Sequence, residues 1–351
     1  MKPPTPRTAV LAMAPYSPPT AGRSGKVRLD FNENTVGASP RVVERLRELL
    51  SADALAVYPE YVDVKPKLAA FFGVRPEEML LTNGTDEAIQ VLVNTYVENA
   101  SDVLLLRPSY AMYRFYCQVA GAAIREVAYR QDDLAFPLEE LLDAITASTR
   151  AILIANPNNP TGTGIGIDGL RRILAKAPHA AVLVDEAYFE FSGVTALGML
   201  DEFANLFVSR TFSKVYGMAA MRLGCLFSRE SNIWFLHKAQ SPYSVNMLAA
   251  LAAEAAIADP SYIRAYVEEA LAARALLSEG FDRLGVRYYP SQANFVLFHA
   301  GERSLEIRDH LRARGLLVRD RGHDIPGCLR VTVGTREQIA RFLAELESML
   351  A

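Results

Sequence analysis

"LFVSRTFSKVYGMAAMRLG", residues 206–224, holds an apolar run, a polar cluster and an arginine in close succession. Leu206–Ser209 has the length and character of a buried strand. Arg210, Thr211, Ser213 and Lys214 then crowd where that strand would end, small apolar residues follow, and Arg222 stands eight positions after the lysine. An exposed helix scatters its charges and a core strand carries none. The pattern instead fits a strand that delivers a lysine at its C-terminal end, the place where α/β sheets bind ligands.

The same arrangement repeats outward from this stretch. "VLLL" at 103, "AILIA" at 151 and "AVLVD" at 181 are further short apolar runs, mostly separated by helical segments such as "PLEELLDAI" and "GLRRILAKA". That alternation predicts an α/β fold with a mainly parallel sheet flanked by helices. "SPRVVERLRELL" predicts a helix with Ser39 as N-cap and Pro40 at its first position. From about residue 247 the character changes. A helical stretch of roughly 247–284 precedes strands "NFVLF" and "CLRVTV", which alternate with helices around 303–314 and 335–350. The expected organisation is an N-terminal arm (1–29), a large domain (30–246) and a smaller α+β domain (247–351).

Composition narrows the function. With 351 residues, half of them hydrophobic, the chain can build two cores. A net charge of -3 gives no basic face for nucleic acid. Cys117, Cys225 and Cys328 lie far apart and read as reduced, mostly buried thiols, and the five histidines form no ligand pattern, so no metal is expected. No run approaches the roughly 18 apolar residues of a membrane span. The N-terminal apolar stretch is short and hemmed by prolines, so a cytoplasmic location is expected.

"GIGIDG", 164–169, satisfies a dinucleotide fingerprint, yet "NPNNPTGT" separates it from the preceding strand, where the first glycine should follow almost at once. It reads as a glycine-rich loop leading into a helix. The strand ends offer more. "NGTDEAIQVLV" places Gly84 and Thr85 at a helix start, an anion site built from free N–H groups. The other ends offer Tyr110, Asn159, Asp185 with Tyr188, and Lys214. Pyridoxal 5′-phosphate asks for such a set: an unprotonated lysine amine, a carboxylate for the pyridine nitrogen, and donors for the ring hydroxyl. It also needs an aromatic stacking partner and a phosphate cradle. Lys214, Asp185, Asn159 with Tyr188, and Tyr110 answer the first four demands; Gly84, Thr85, Thr211, Ser213 and Arg222 answer the last. Asp86 and Glu87 begin the same helix; their carboxylates suit the dipole but repel a phosphate, so their side chains are expected to point away.

With "NPNNPTG", "DEAY" and "SK" followed by Arg222, the chain resembles the fold-type I pyridoxal-phosphate aminotransferases. Within them it is similar to the histidinol-phosphate aminotransferase family, through "PYSPP", "LDFNEN", "YPE", "NGTDE", "RTFSK", "ANFVLF", "GLLVRD" and "CLRVTVG". The resemblance implies a seven-stranded large-domain sheet, a covalent and proton-transferring role for Lys214, and Asp86 near the cofactor. It also implies a homodimer in which Tyr58 reaches the partner's cofactor phosphate. It assigns the substrate's acidic group to Arg330, its phosphate to Arg319 and Tyr16, and a further contact to Asn34. The implied reaction converts histidinol phosphate and 2-oxoglutarate to imidazole-acetol phosphate and glutamate. An aromatic amino-acid aminotransferase and a phospho-amino-acid decarboxylase are the alternatives on this scaffold.

Overall fold

The computed structural model describes residues 3–15 and 20–350. Its larger sheet has seven strands: β2 (Met79–Thr82), β3 (Asp102–Arg107), β4 (Ala123–Ala128), β5 (Thr149–Ala155), β6 (Ala181–Asp185), β7 (Leu206–Thr211) and β8 (Gly224–Phe227). β1 (Val27–Leu29) belongs to a second sheet, with β9 (Tyr288–Tyr289), β10 (Phe295–His299), β11 (Leu316–Asp320) and β12 (Cys328–Thr332).

The larger sheet runs β2-β8-β7-β6-β5-β3-β4, and only β8 pairs antiparallel to its neighbours. Its central strands are apolar at nearly every position because helices cover both faces. Ile152 and Ile154 go to one core with Leu104, Val182 and Val184, while Ala151 and Leu153 join Leu105 and Leu183 in the other. The apolar runs of the sequence are therefore strands, and Ser39 caps the helix Pro40–Leu49 as its position predicts.

One register decides where the chemistry collects. Gly224, the first residue of β8, lies opposite both Thr82 and Thr211, the last residues of β2 and β7. The start of the reversed strand thus meets the ends of its two neighbours. Gly224 also lets the helix Gly84–Tyr96 begin close by, since a Cβ there would lie 2.8 Å from the Gly84 carbonyl carbon and 3.0 Å from the Thr85 nitrogen.

The second sheet runs β1-β11-β12-β10-β9, with β1 parallel to β11 and the remaining pairs antiparallel. Its core gathers Leu29, Phe281, Phe298 and Phe342. Residues 27–29, read from sequence as part of an arm, form its edge strand. The segment Asp30–Asn34 then crosses between the sheets. The Asp30 carbonyl accepts from Arg330 (2.8 Å), the Asn32 N–H donates to Thr332 Oγ1 (2.9 Å), and the Asn34 amide donates to the Val215 carbonyl (2.9 Å).

All three cysteines are unpaired and buried, as their scattered positions predict. Among the described residues no helix is long and apolar enough to cross a membrane.

Gly217 turns the loop after Lys214 with φ +69°, and a Cβ there would lie 2.5 Å from the Gly37 carbonyl and 2.6 Å from the Ala38 nitrogen. Backbone cannot yield as a side-chain tip can. Gly217→Ala is expected to cost about 2–3 kcal/mol, read as a lower urea midpoint; an unchanged midpoint would show that the loop relaxes freely.

Candidate active site

A cavity of about 570 Å³ opens between the two sheets, at the edge where β2, β5, β6 and β7 end and β8 begins. Lys214 lies on its wall. Its Nζ donates to the Phe31 carbonyl (3.1 Å), and among the described residues it forms no ion pair. Its pKa is lowered to about 8, first by burial and then by the positive charge of Arg330, with Arg222 adding to the effect and Glu33 and Asp86 opposing it. The Tyr188 ring centroid lies 5.9 Å away.

One end of the cavity is built to receive an anion. The helix starting at Gly84 has no side-chain cap from Asn83, so its first N–H groups are available, and Thr85 Oγ1 is buried without a hydrogen-bond partner. Thr211, Ser213 and Arg222 line the same wall. Arg222 adopts φ +55°, which turns the chain back so that its guanidinium packs against Gly84. Gly84 itself adopts φ +71°, and a Cβ there would push that guanidinium aside.

Asp86 also lines the cavity, so its side chain does not point away as its repulsion of a phosphate predicts. Its carboxylate accepts from the Tyr110 hydroxyl (2.8 Å) and pairs with Arg222 (3.2 Å). Glu87 turns elsewhere and accepts from the Asn83 N–H (2.6 Å) and the Ser244 hydroxyl (2.9 Å).

The middle of the cavity suits a flat polar ring. Asp185 closes one side, 4 % exposed, accepting from the Tyr113 hydroxyl and the Ser209 hydroxyl, each at 2.8 Å. Burial pushes its pKa up to about 6, against the downward pull of those two bonds. Asn159 and Tyr188 present polar tips nearby; Asn159 Oδ1 accepts from Arg330, and the Tyr188 hydroxyl accepts from the Asn32 amide (2.9 Å). Tyr110 stands at the start of the helix Ala111–Ala120 with its ring on the wall.

The far end is cationic. Arg319 on β11 pairs directly across from Arg330 on β12. Among the described residues neither forms an ion pair, and Arg319 Nη1 and Arg330 Nε are buried without hydrogen-bond partners. Burial first, then Arg321 and Arg319, lowers the Arg330 pKa to about 9. Both residues line the cavity, and their two charges, without a paired carboxylate among the described residues, favour an acidic ligand there.

Of the sequence-predicted residues, Thr85, Asp86, Tyr110, Asn159, Asp185, Tyr188, Thr211, Ser213, Lys214, Arg222, Arg319 and Arg330 all line this one cavity, with Gly84 directly behind. Asn34 does not. Its buried amide is occupied by Val215 and by the N–H groups of Val36 and Gly37, and Asn32 faces the cavity instead. Tyr58 lies outside, 75 % exposed and stacked on Tyr243 with centroids 4.6 Å apart. Tyr16 falls outside the described residues.

Sequence reading missed Arg23, Phe31, Asn32, Tyr113 and Arg321 on the cavity wall. Arg321 was within reach, since it follows Arg319 by two at a strand end and so shares its face. Tyr113 follows Tyr110 by three at a helix start, again one face. Arg23 gave no signal, because only folding brings it to Asp30 (2.8 Å) and Glu33 (2.5 Å).

The model of the aminotransferase class I and II family matches residues 24–346. The histidinol-phosphate aminotransferase of Symbiobacterium thermophilum is 37 % identical over 98 % of both chains. That of Halalkalibacterium halodurans is 33 % identical over 97 % of this chain and 96 % of its own. The crystal structure of histidinol-phosphate aminotransferase from Sinorhizobium meliloti in complex with pyridoxal-5′-phosphate superposes with a TM-score of 0.87 at 24 % identity, covering 98 % of this chain and 96 % of that one.

Because only the neutral amine is a nucleophile, acylation of Lys214 in the free protein is expected to rise with pH through a midpoint near 8, read by peptide mass. Arg330→Gln removes the largest charge effect on the amine, so it should move that midpoint upward. A midpoint in the range of a solvated lysine would contradict the assigned environment.

Proposed function

This chain belongs to the class I and II aminotransferases, with the fold-type I architecture. On that premise we propose that it moves an amino group between histidinol phosphate and 2-oxoglutarate, forming imidazole-acetol phosphate and glutamate, in either direction. The family works with pyridoxal 5′-phosphate, and the residues of the cavity fit that group. The unpartnered Thr85 hydroxyl and the uncapped helix start suit its phosphate, together with Thr211, Ser213 and Arg222. Lys214 would hold its aldehyde carbon, Asp185 its ring nitrogen, Asn159 and Tyr188 its hydroxyl, and Tyr110 a face of the ring.

When bound, the cofactor supplies an aldehyde that condenses with amines and a protonated ring that withdraws electrons from the donor's Cα. The remaining work belongs to side chains. Lys214, with its lowered pKa, takes the proton from Cα as a neutral amine and returns one as an ammonium; a group titrating near the working pH serves both directions. Asp185, ionised above about pH 6, favours the protonated ring. The enclosing wall, with Phe31 and Tyr188 beside the amine, limits water.

One observation carries the substrate reading: Arg319 and Arg330 bring two positive charges to the cavity wall, with no carboxylate paired to either among the described residues. A phosphate monoester, with up to two negative charges, matches this pair; an α-carboxylate matches half of it. The same arginines accept the carboxylates of glutamate in the other half-reaction. Several curated relatives above 30 % identity are histidinol-phosphate aminotransferases, which supports the same substrate.

The reading includes a cytoplasmic homodimer. Leu55, Val57, Tyr58 and Val62 form an exposed apolar stretch that suits a second copy, and Tyr58 would then reach the partner's cofactor phosphate.

The test is a steady-state panel of amino donors with 2-oxoglutarate as acceptor. Histidinol phosphate is expected to exceed phenylalanine and tyrosine in kcat/KM; the reverse order overturns the substrate assignment, and carbon dioxide release without an oxo-acid acceptor would indicate a decarboxylase. Arg319→Ala is expected to lower kcat/KM for histidinol phosphate by roughly 10- to 100-fold, the worth of charged hydrogen bonds, and for phenylalanine by less. Lys214→Ala should abolish turnover and the covalent attachment of the cofactor, read by peptide mass after borohydride reduction.

A further inference from the structure

The helix Ala111–Ala120 brings two tyrosines to the cavity, and only Tyr110 has a role in the function above. Tyr113 follows one turn later, 1 % exposed, with its ring edge-on to Tyr110 at 5.6 Å. A buried tyrosine hydroxyl needs some acceptor. Here the acceptor is the carboxylate assigned to the cofactor ring: Tyr113 donates to Asp185 Oδ2 and Ser209 donates to Asp185 Oδ1, both at 2.8 Å. Each oxygen is thus held from the protein side, which fixes the plane of the carboxylate and leaves its other lone pairs for a ligand.

We infer that Tyr113 is a positioning residue that, together with Ser209, orients Asp185 and keeps it ionised opposite the cofactor's ring nitrogen. The inference rests on the reading that Asp185 meets that nitrogen, and it is independent of which amino donor is used. The surroundings explain why a clamp is needed. Asp185 is buried and receives no cation by ion pair among the described residues; Glu186 beside it is paired with Arg210 instead. Asp86, on the helix Gly84–Tyr96, and Glu186 both disfavour its charge, while Tyr110 and Tyr188 contribute neutral hydroxyls nearby. The two donated hydrogen bonds are the opposing influence, since a hydrogen bond to the charged form stabilises it. Burial and Asp185 itself hold the Tyr113 phenol far above its ordinary pKa, so it remains a donor at any working pH.

Tyr113→Phe keeps the ring and its packing and removes only the donor. In the holoenzyme carrying cofactor labelled with ¹⁵N in the ring, the nitrogen resonance should move toward its unprotonated position. In the cofactor-free chain, the infrared carbonyl band of protonated Asp185, assigned with Asp185→Asn, should titrate about one pH unit higher, the worth of one hydrogen bond. kcat should fall about tenfold with KM within a factor of two or three. Ser209→Ala, which releases the other oxygen, should move both spectra in the same direction and serves if Tyr113→Phe folds poorly. If both spectra stay unchanged in the two variants, the clamp does not govern ionisation and the inference fails, whatever happens to the rate. If the infrared band moves while the ring nitrogen does not, Asp185 does not face that nitrogen, and the reading beneath the inference fails instead.

Discussion

A lysine amine held in a cavity with arginines on two sides is costly to protonate. Lys214 has one backbone carbonyl as acceptor, with Arg330 toward the cationic end of the cavity and Arg222 toward the helix start. The lowered pKa that results suits the role proposed for Lys214, in which one group attacks as an amine and donates as an ammonium. Much of the remaining architecture can be traced to keeping that amine enclosed without supplying a carboxylate to neutralise it.

The enclosure comes from both sheets. The larger one contributes the floor, through the register that sets Gly224 against Thr82 and Thr211. Gly224, where a Cβ would meet backbone, and Gly84, at φ +71° against the guanidinium, allow helix start, reversed strand and arginine to occupy one corner. The smaller sheet contributes the far wall with the facing pair Arg319 and Arg330. Between them runs Asp30–Asn34, bonded to Arg330 and Thr332 on one side and to Lys214 and Val215 on the other. A displacement of either sheet would therefore be felt at the lysine. Charges elsewhere in the site are managed locally: Arg23 is matched by Asp30 and Glu33, Arg222 by Asp86, and Arg210 by Glu186.

Local patterns were enough to bring the residues proposed for the cofactor to one edge of the sheet. Lys214, Asp185 and Asn159 stand at the ends of apolar runs, and strand ends of a parallel sheet must share an edge. Thr85 and Arg222 were legible for a related reason, as a helix start and a chain reversal next to the same edge. The motif points to Asn34, whereas its amide holds the loop at Val36 and Gly37 and Asn32 lies on the wall. An alternating motif names the segment but not which member faces inward. Tyr113 sits one turn into a helix and is buried, which in sequence reads as a core position rather than a site residue.

By itself the sequence determined the fold class, the strand ends and the residue types that meet at them, because burial period and helix-start chemistry are local properties of the chain. It also determined that one lysine would stand among small apolar neighbours. Tertiary structure decided the rest: that Arg319 and Arg330 come to the same cavity as Lys214, that both leave donors unused, and that Asp185 is gripped from behind by Tyr113 and Ser209. Those facts depend on distances between residues far apart in the chain, and on which polar groups find partners when water is excluded. Neither is encoded in any short stretch.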